Sequence, residues 1–400
     1  MLRQLVSETG ARRVVWSRLY DAPAIERDSA IKAALRAEVI DAVSVNASLL
    51  FEPWTVATGQ GGYYRVYTPY WKAVRGRGVE TVTPPPGDLA PPSVWPQSDR
   101  LGDWAPGRDM QRGAAVVSRH ARIGEDAARE RLEAFLENAI IRYREDRDRL
   151  DLAGTSGLSE SLAHGEISPR RIWRAACEEM RRRSGGDAGQ AEPFLKELVW
   201  REFAYHLLYH TLWVETRSWR ENWADFPWRP DSADAERWRR GMIGIEVIDA
   251  AMRQLYVTGT MHNRARMLVA SFLTKHLLVH WRVGADWFRD FLIDWDPAAN
   301  AMGWQWSAGS GPDAAPYFRI FNPETRAARF DPEGRYRDRF LAEERRSPSE
   351  DALTFFEAAP PAWGLSAEQT YPASMIDLGE GRARALAVYH DHRARHGQTR

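Results

Sequence analysis

The sequence predicts a partial α/β unit at the N-terminus followed by a large all-α domain. Three observations carry this. Over residues 1–75, short β-branched runs alternate with helical stripes; six prolines then fall between Pro84 and Pro96; and from about Glu125 onward apolar residues recur with the helical period. The expected division is an α/β domain over 1–75, a linker over 76–124 and a helical domain over 125–400.

Each element has its own signal. Leu2, Leu5 and Val6 begin a helical stripe, "RRVVWSRLY" is a β-branched run, Ala30 to Leu35 is helical again, and "AVSVN" reads as a second strand. That is too little for a closed parallel sheet, so an open edge and an exposed apolar face are expected. "TVTPPPGDLAPPSVWP" suits neither a helix nor a central strand, because proline removes the donor that both ladders need. Further on, Leu132, Phe135, Leu136, Ala139 and Ile140 share one helical face. So do Ile245, Ile248, Met252 and Leu255, in a helix closed by Gly259. In "SPRRIWRAACEEM", Ser168 is the expected N-cap and Pro169 the first helical residue.

Composition narrows the function classes. The 55 basic and 55 acidic side chains cancel, so any basic surface must be local. Cys177 is the only cysteine, which excludes an intramolecular disulfide and fits a reducing compartment. The start has no signal-peptide core, and nowhere do eighteen apolar residues run together, so a cytoplasmic location with no membrane partner is expected. Tryptophan stands out: of eighteen, eleven lie between Trp200 and Trp306. That density asks for more than core filling.

Four stretches carry candidate chemistry. "GTSGLS", Gly154 to Ser159, packs glycines and hydroxyls ahead of a helix, as either a solvated loop or a wrap for anionic oxygens. "ELVWREF" puts Glu197 and Arg201 at i, i+4, the spacing of a surface ion pair, with Trp200 beside them as a platform for a planar ligand. "MHNRARMLVASFLTKHLLVHW" carries Arg264, Arg266 and Lys275, with no acid from Thr260 through Ala285, and reads as a local basic surface or a core helix with snorkelling cations. Arg264 and Met267 share a face, and Met267 and Trp281, nearly four helical turns apart, are expected to share a side about 21 Å apart. Finally, "DWDPAANAMGWQW" holds Asp294 and Asp296. As metal ligands they are too few for a hard cation, and the competing reading is that they cap a helix or pair with an arginine of the basic stretch. No metal site is expected.

Together with "DAAMRQLYVTGTMHNRARMLVASFLTKHLLVHWR" and "DWDPAANAMGWQWSAGSGPDAAPYFRIFNP", these blocks resemble the DNA photolyase and cryptochrome flavoproteins in order and spacing. "ARRVVWSRLYD" and "LLFEPWTVATGQGGYYRVYTPYW" resemble the second half of that family's Rossmann-like antenna domain, so the chain enters the pattern past its first strand and helix.

The resemblance implies FAD held in a U shape by Tyr143, Thr155, Ser156, Gly157, Leu158, Ser159, Phe194, Arg266, Asp294, Trp295 and Asp296, with Asn300 beside the flavin N5. Phe194 stands where the family often has tryptophan. Trp304, Trp281 and Trp228 match an electron path from flavin to surface. Arg147, Glu197, Trp200, Arg201, Asn263, Arg264, Met267 and Trp306 match the face that takes a flipped pyrimidine dimer from DNA. In that arrangement Trp200 and Trp306 sandwich the dimer, Glu197 bonds its base edge, and Arg147 and Arg264 contact phosphate. Met267 favours a cyclobutane-dimer enzyme of class I. The implied activity is light-driven repair by electron transfer from reduced FAD, in a monomer. A blue-light photoreceptor of cryptochrome type is the alternative. A second antenna chromophore, of folate or deazaflavin type, would draw partly on elements that precede this chain's entry point.

Overall fold

A computed structural model describes residues 1–84, 86–106, 112–183, 191–313 and 316–396. The N-terminal unit alternates the helix Leu2–Thr9, strand β1 (Arg13–Ser17), the helix Ala22–Ala37 and strand β2 (Asp41–Val45). The strands pair in parallel, Val14 opposite Ala42 and Trp16 opposite Ser44. Asp21 opens the second helix by accepting from the Ala24 N–H at 3.0 Å. The core here is small, built on Val6, Leu35 and Ala42. Leu2, Leu5, Val15 and Leu19 stay 39–54% exposed, since two strands offer one narrow face to bury them against.

The expected α/β domain gives up its last third to the helical core. Leu49, Phe51, Tyr67, Tyr70 and Trp71 pack in one cluster with Phe194, Leu198, Phe203 and Leu207. The helix Ala191–His210 is the spine of that cluster and is apolar nearly all round because it is covered on both sides. Polar groups on it complete the junction. Glu202, fully buried, accepts from the Leu50 and Phe51 N–H groups at 2.8 and 3.2 Å, and burial raises its pKa to about 7. His206 accepts from Tyr64 N–H at 3.0 Å, and Tyr67 donates to the Lys196 carbonyl at 2.7 Å.

Within the expected linker, the helix Arg112–Val117 packs on the helical domain, with Val116 against Val257 and Phe355. An apolar residue of this kind sits in a composition otherwise typical of a linker, so only the packing marks it. The caps at Ser168 and Gly259 form as the sequence implies; Gly259 takes φ 67°.

The basic stretch departs from one continuous helix. Asn263–Ser271 runs into a π-helical turn at Phe272–His276, Leu278 adopts φ 57°, and His280 caps a new helix, Trp281–Phe291. Trp281 therefore shares no helix face with Met267. The stretch is also less basic than it reads. Lys275 is buried at 1% exposure, donating to the Arg319 carbonyl at 3.1 Å, while Arg264 and Arg266 each have a carboxylate partner. No helix among the described residues is long and apolar enough to cross a membrane.

Candidate flavin and substrate site

The site grows from two adjacent residues on a short helix, Tyr143–Asp146, and its exit. Arg147 reaches Glu197 at 2.7 Å, and Asp148 reaches Arg264 at 2.6 Å. Those two bonds tie the helix Ala191–His210 to the helix Asn263–Ser271. Arg264 also donates to the Met267 sulfur at 3.2 Å, as their shared face requires. Asn263 begins that helix, exposed, behind His262 as N-cap. Burial, with Arg264 second, pushes the His262 imidazole down to about 4, so its ring is neutral and its Nδ1 accepts the Arg264 N–H at 3.1 Å.

Glu197 thus bonds Arg147 in place of the expected partner Arg201. Arg201 turns inward: it donates to the Ser48 carbonyl at 2.6 Å, lies 3.7 Å from Glu202 and from Asp296, and sits over the Tyr205 ring. Its guanidinium is spent on the junction between the N-terminal residues and the helical core.

Trp200 is half-buried, and Tyr67 stacks on it with centroids 3.7 Å apart and planes 6° from parallel, while Phe203 meets it edge-on at 5.8 Å. Trp306 is likewise half-buried and, with Met267, borders the second large core cluster. Glu197, Trp200, Arg264, Met267 and Trp306 therefore all remain partly accessible.

Across the fold, "DWD" closes a turn. Asp294, 7% exposed, accepts from the Arg266 Nη2 through both carboxylate oxygens, Oδ2 at 2.7 Å and Oδ1 at 2.9 Å. Asp296 caps the helix Pro297–Ala308 through the Ala299 N–H at 2.8 Å and accepts the Tyr205 hydroxyl at 2.7 Å. Both structural alternatives to metal binding are thus realised, one by each carboxylate. Asn300, one turn on, donates to the Ala285 carbonyl at 3.0 Å, which leaves its amide oxygen free of that bond.

The hydroxyl loop approaches the same turn, because His164, just after the helix Ser159–Ala163, bonds the Ile293 carbonyl at 2.8 Å. Thr155 and Ser159 are exposed, Ser156 is half-buried, Gly157 takes φ 60° and Leu158 is buried beneath. Tyr143 and Phe194 meet edge-on at 5.6 Å, with Phe135 against both. These residues fit a dinucleotide with a flat head: exposed hydroxyls suit a pyrophosphate, the aromatic wall suits rings, and the buried Trp295 indole N–H has no partner among the described residues. Phe194 offers the wall without an N–H.

Of the three tryptophans of the expected electron path, two are buried and one is partly exposed. Trp304 is 2% exposed, Trp281 is fully buried, and Trp228 is half-buried. Trp304 packs edge-on to Phe288 at 5.0 Å and presses on Gly284, where an added Cβ would lie 2.0 Å from its ring. His280 bridges the other two, 5.6 Å from Trp281 and 5.9 Å from Trp228 by centroid. Sequence reasoning missed Tyr67, Asp148, Tyr205, His280 and Gly284. Tyr67 had a visible signal, the aromatic-rich "GGYYRVYTPYW".

This architecture defines a large helical domain, with partly accessible aromatic side chains at Trp200 and Trp306, joined to a smaller α/β unit. Residues 194–391 match the FAD binding domain of DNA photolyase and residues 1–88 match DNA photolyase. The chain belongs to the DNA photolyase family. It is 44% identical to the deoxyribodipyrimidine photo-lyase of Agrobacterium fabrum, over 97% of this chain and 81% of that one. A crystal structure of a bacterial class III photolyase from Agrobacterium tumefaciens superposes with a TM-score of 0.88 at 43% identity, over 98% of this chain and 82% of that one. Cryptochrome-2 of Arabidopsis thaliana is 32% identical over 94% of this chain and 63% of its own. The class I expectation drawn from Met267 finds no support in these likenesses. Met267 packs under Arg264, a local role that does not separate subclasses.

Proposed function

We propose that the protein repairs cyclobutane pyrimidine dimers in DNA under light, with FAD as its cofactor, and that its subclass is that of the class III relative. The observation that carries the proposal is the Trp200 platform, backed by Tyr67 and flanked by the Arg147–Glu197 and Asp148–Arg264 pairs.

Bound in reduced form, FAD would supply the light-driven electron chemistry that ring opening needs. The protein's part is positioning. Trp200 and Trp306 offer flat apolar surfaces to a flipped dinucleotide, and base–aromatic stacking is worth roughly 1–3 kcal/mol per base. Glu197, held by Arg147, presents a fixed carboxylate to a base edge. Arg147 and Arg264 exchange part of their acid partners for phosphate oxygens, and Asn263 lies beside them at the helix start. Asp294 holds Arg266 next to the flavin pocket, and Asn300 aims an amide into it. Trp304, Trp281 and Trp228 lead electrons inward from the surface. A second antenna chromophore, of folate or deazaflavin type, belongs to this reading as an option for the α/β unit.

The test is dimer loss from ultraviolet-damaged DNA by the reduced, FAD-loaded chain in blue light, against a dark control. Light-dependent dimer loss is expected. Photoreduction of the flavin without dimer loss would instead mark a photoreceptor.

A further inference from the structure

Away from the flavin and substrate faces, the loop that leads to Trp228 meets the C-terminal helix Leu378–Arg395. Trp223 and Phe226 are each 4% exposed and pack with Tyr317 and Tyr389, which anchors the backbone on both sides of Asp225. The Asp225 carboxylate is left 57% exposed at the helix end. His392 and His396 lie one helical turn apart and share a face, with ring centroids 4.6 Å apart. His396 Nε2 sits 2.9 and 3.0 Å from the two Asp225 oxygens, and His392 Nδ1 is 3.9 Å from Oδ1. One ligand atom from each of the three residues falls within 4.8 Å of the others.

His392 gives the second observation. It is 1% exposed, wedged against Trp223 and Phe226, and neither ring nitrogen has a hydrogen-bond partner among the described residues. Buried polar groups in native proteins nearly always find a hydrogen-bond partner, so an unpaired one calls for a reason.

We propose that Asp225, His392 and His396 form a binding site for a divalent transition-metal ion of the zinc type. Two imidazoles and one carboxylate suit zinc, whereas magnesium and calcium want several oxygens. Tetrahedral ligands at zinc distances stand about 3.3 Å apart, and the two distances from Asp225 bracket that value. His392 is the fixed ligand, and His396 and Asp225, both at the surface, can close by the remaining ångström. A cavity of about 380 Å³, lined by Arg220, Asn222, Tyr317 and Tyr389, borders His392 and leaves room for a water as fourth ligand. The bound ion would clamp the C-terminal helix to the loop that carries Trp228.

The experiment titrates Zn²⁺ into the untagged full chain after chelator treatment, by calorimetry, and repeats it with Co²⁺ while recording the visible spectrum. One zinc per chain is expected, with intense tetrahedral cobalt bands. Asp225→Asn and His396→Gln, both at the surface, should weaken zinc binding at least tenfold and abolish those bands while circular dichroism stays unchanged. Absence of zinc binding to the wild-type chain, or equal binding by both variants, would overturn the proposal. Neither readout depends on flavin or on repair.

Discussion

Tyr67 lies flat on Trp200, 3.7 Å between ring centroids, although 133 residues separate them in the chain. The tyrosine comes from the helix Tyr67–Val74 near the N-terminal unit, and its hydroxyl is fastened to the Lys196 carbonyl. One face of the tryptophan is thereby committed before any ligand arrives, which fixes the plane of the platform. Tyr67→Ala should free the indole and weaken binding of dimer-containing DNA. A stacked aromatic pair is worth about 0.5–1.5 kcal/mol, so a loss of roughly two- to tenfold in affinity is expected. Tyr67→Phe keeps the stack and should lose little. Equal affinity of the alanine variant and the wild type in a dark binding assay would remove Tyr67 from the site.

Trp304 and Trp306 are two residues apart on one helix and face different surroundings. Trp304 is buried against Phe288 and Gly284, and Trp306 is half-buried at the border of the second core cluster. Trp304→Phe should slow photoreduction of oxidised flavin and leave pre-reduced protein competent in repair, whereas Trp306→Ala should weaken dimer binding and spare photoreduction. A common defect in both variants, followed by flavin absorbance and by dimer loss, would refute the division.

Gly284 is the position at which the helix Trp281–Phe291 lets Trp304 approach. Gly284→Ala drives a methyl into the indole, and overpacking of this kind costs typically 1–3 kcal/mol. A lower midpoint in thermal unfolding is expected, together with slower photoreduction because Trp304 must move. An unchanged midpoint would mean that the indole has room to shift.

Arg264 should act through charge. Replacing it with alanine removes one phosphate partner and leaves Asp148 with only Arg147, 3.7 Å away. Affinity for DNA should fall about equally for damaged and undamaged duplex, and the slope of log K against log salt should shrink by about 1. Salt titrations of both duplexes measure this directly.

Lys275 tests burial. Desolvation pushes its ammonium down to about 7 from an ordinary value near 10.5, with Arg319 a smaller cause. The folded state therefore binds fewer protons than the unfolded chain between those two values, so this cost is full below pH 7 and fades as pH rises toward 10.5. Lys275→Met should stabilise the protein at pH 7, by an amount on the order of a few kcal/mol, and the advantage should shrink in alkaline buffer. Unfolding midpoints at pH 7 and pH 9.5 check the sign.

Much of this site is legible in local sequence because its chemistry is local. Asp296 caps the helix that begins one residue later, Arg264 and Met267 meet at i, i+3, and the hydroxyl loop precedes its own helix. Such features depend on chain geometry over a single turn, and residue type with spacing determines them. The all-α domain, its caps and the two short strands follow from periodicity in the same way. Tertiary structure decided everything that needed a distant partner. Glu197 chose Arg147 over the nearby Arg201, Arg201 turned to Ser48 and Asp296, and Asp294 found Arg266. Lys275 went inside although its neighbours suggested a basic surface, and an αL residue at Leu278 broke a helix that the periodicity would have continued. The reason in each case is that a local pattern sets which face a side chain can use, while desolvation and pairing across the core set which of the available partners it takes.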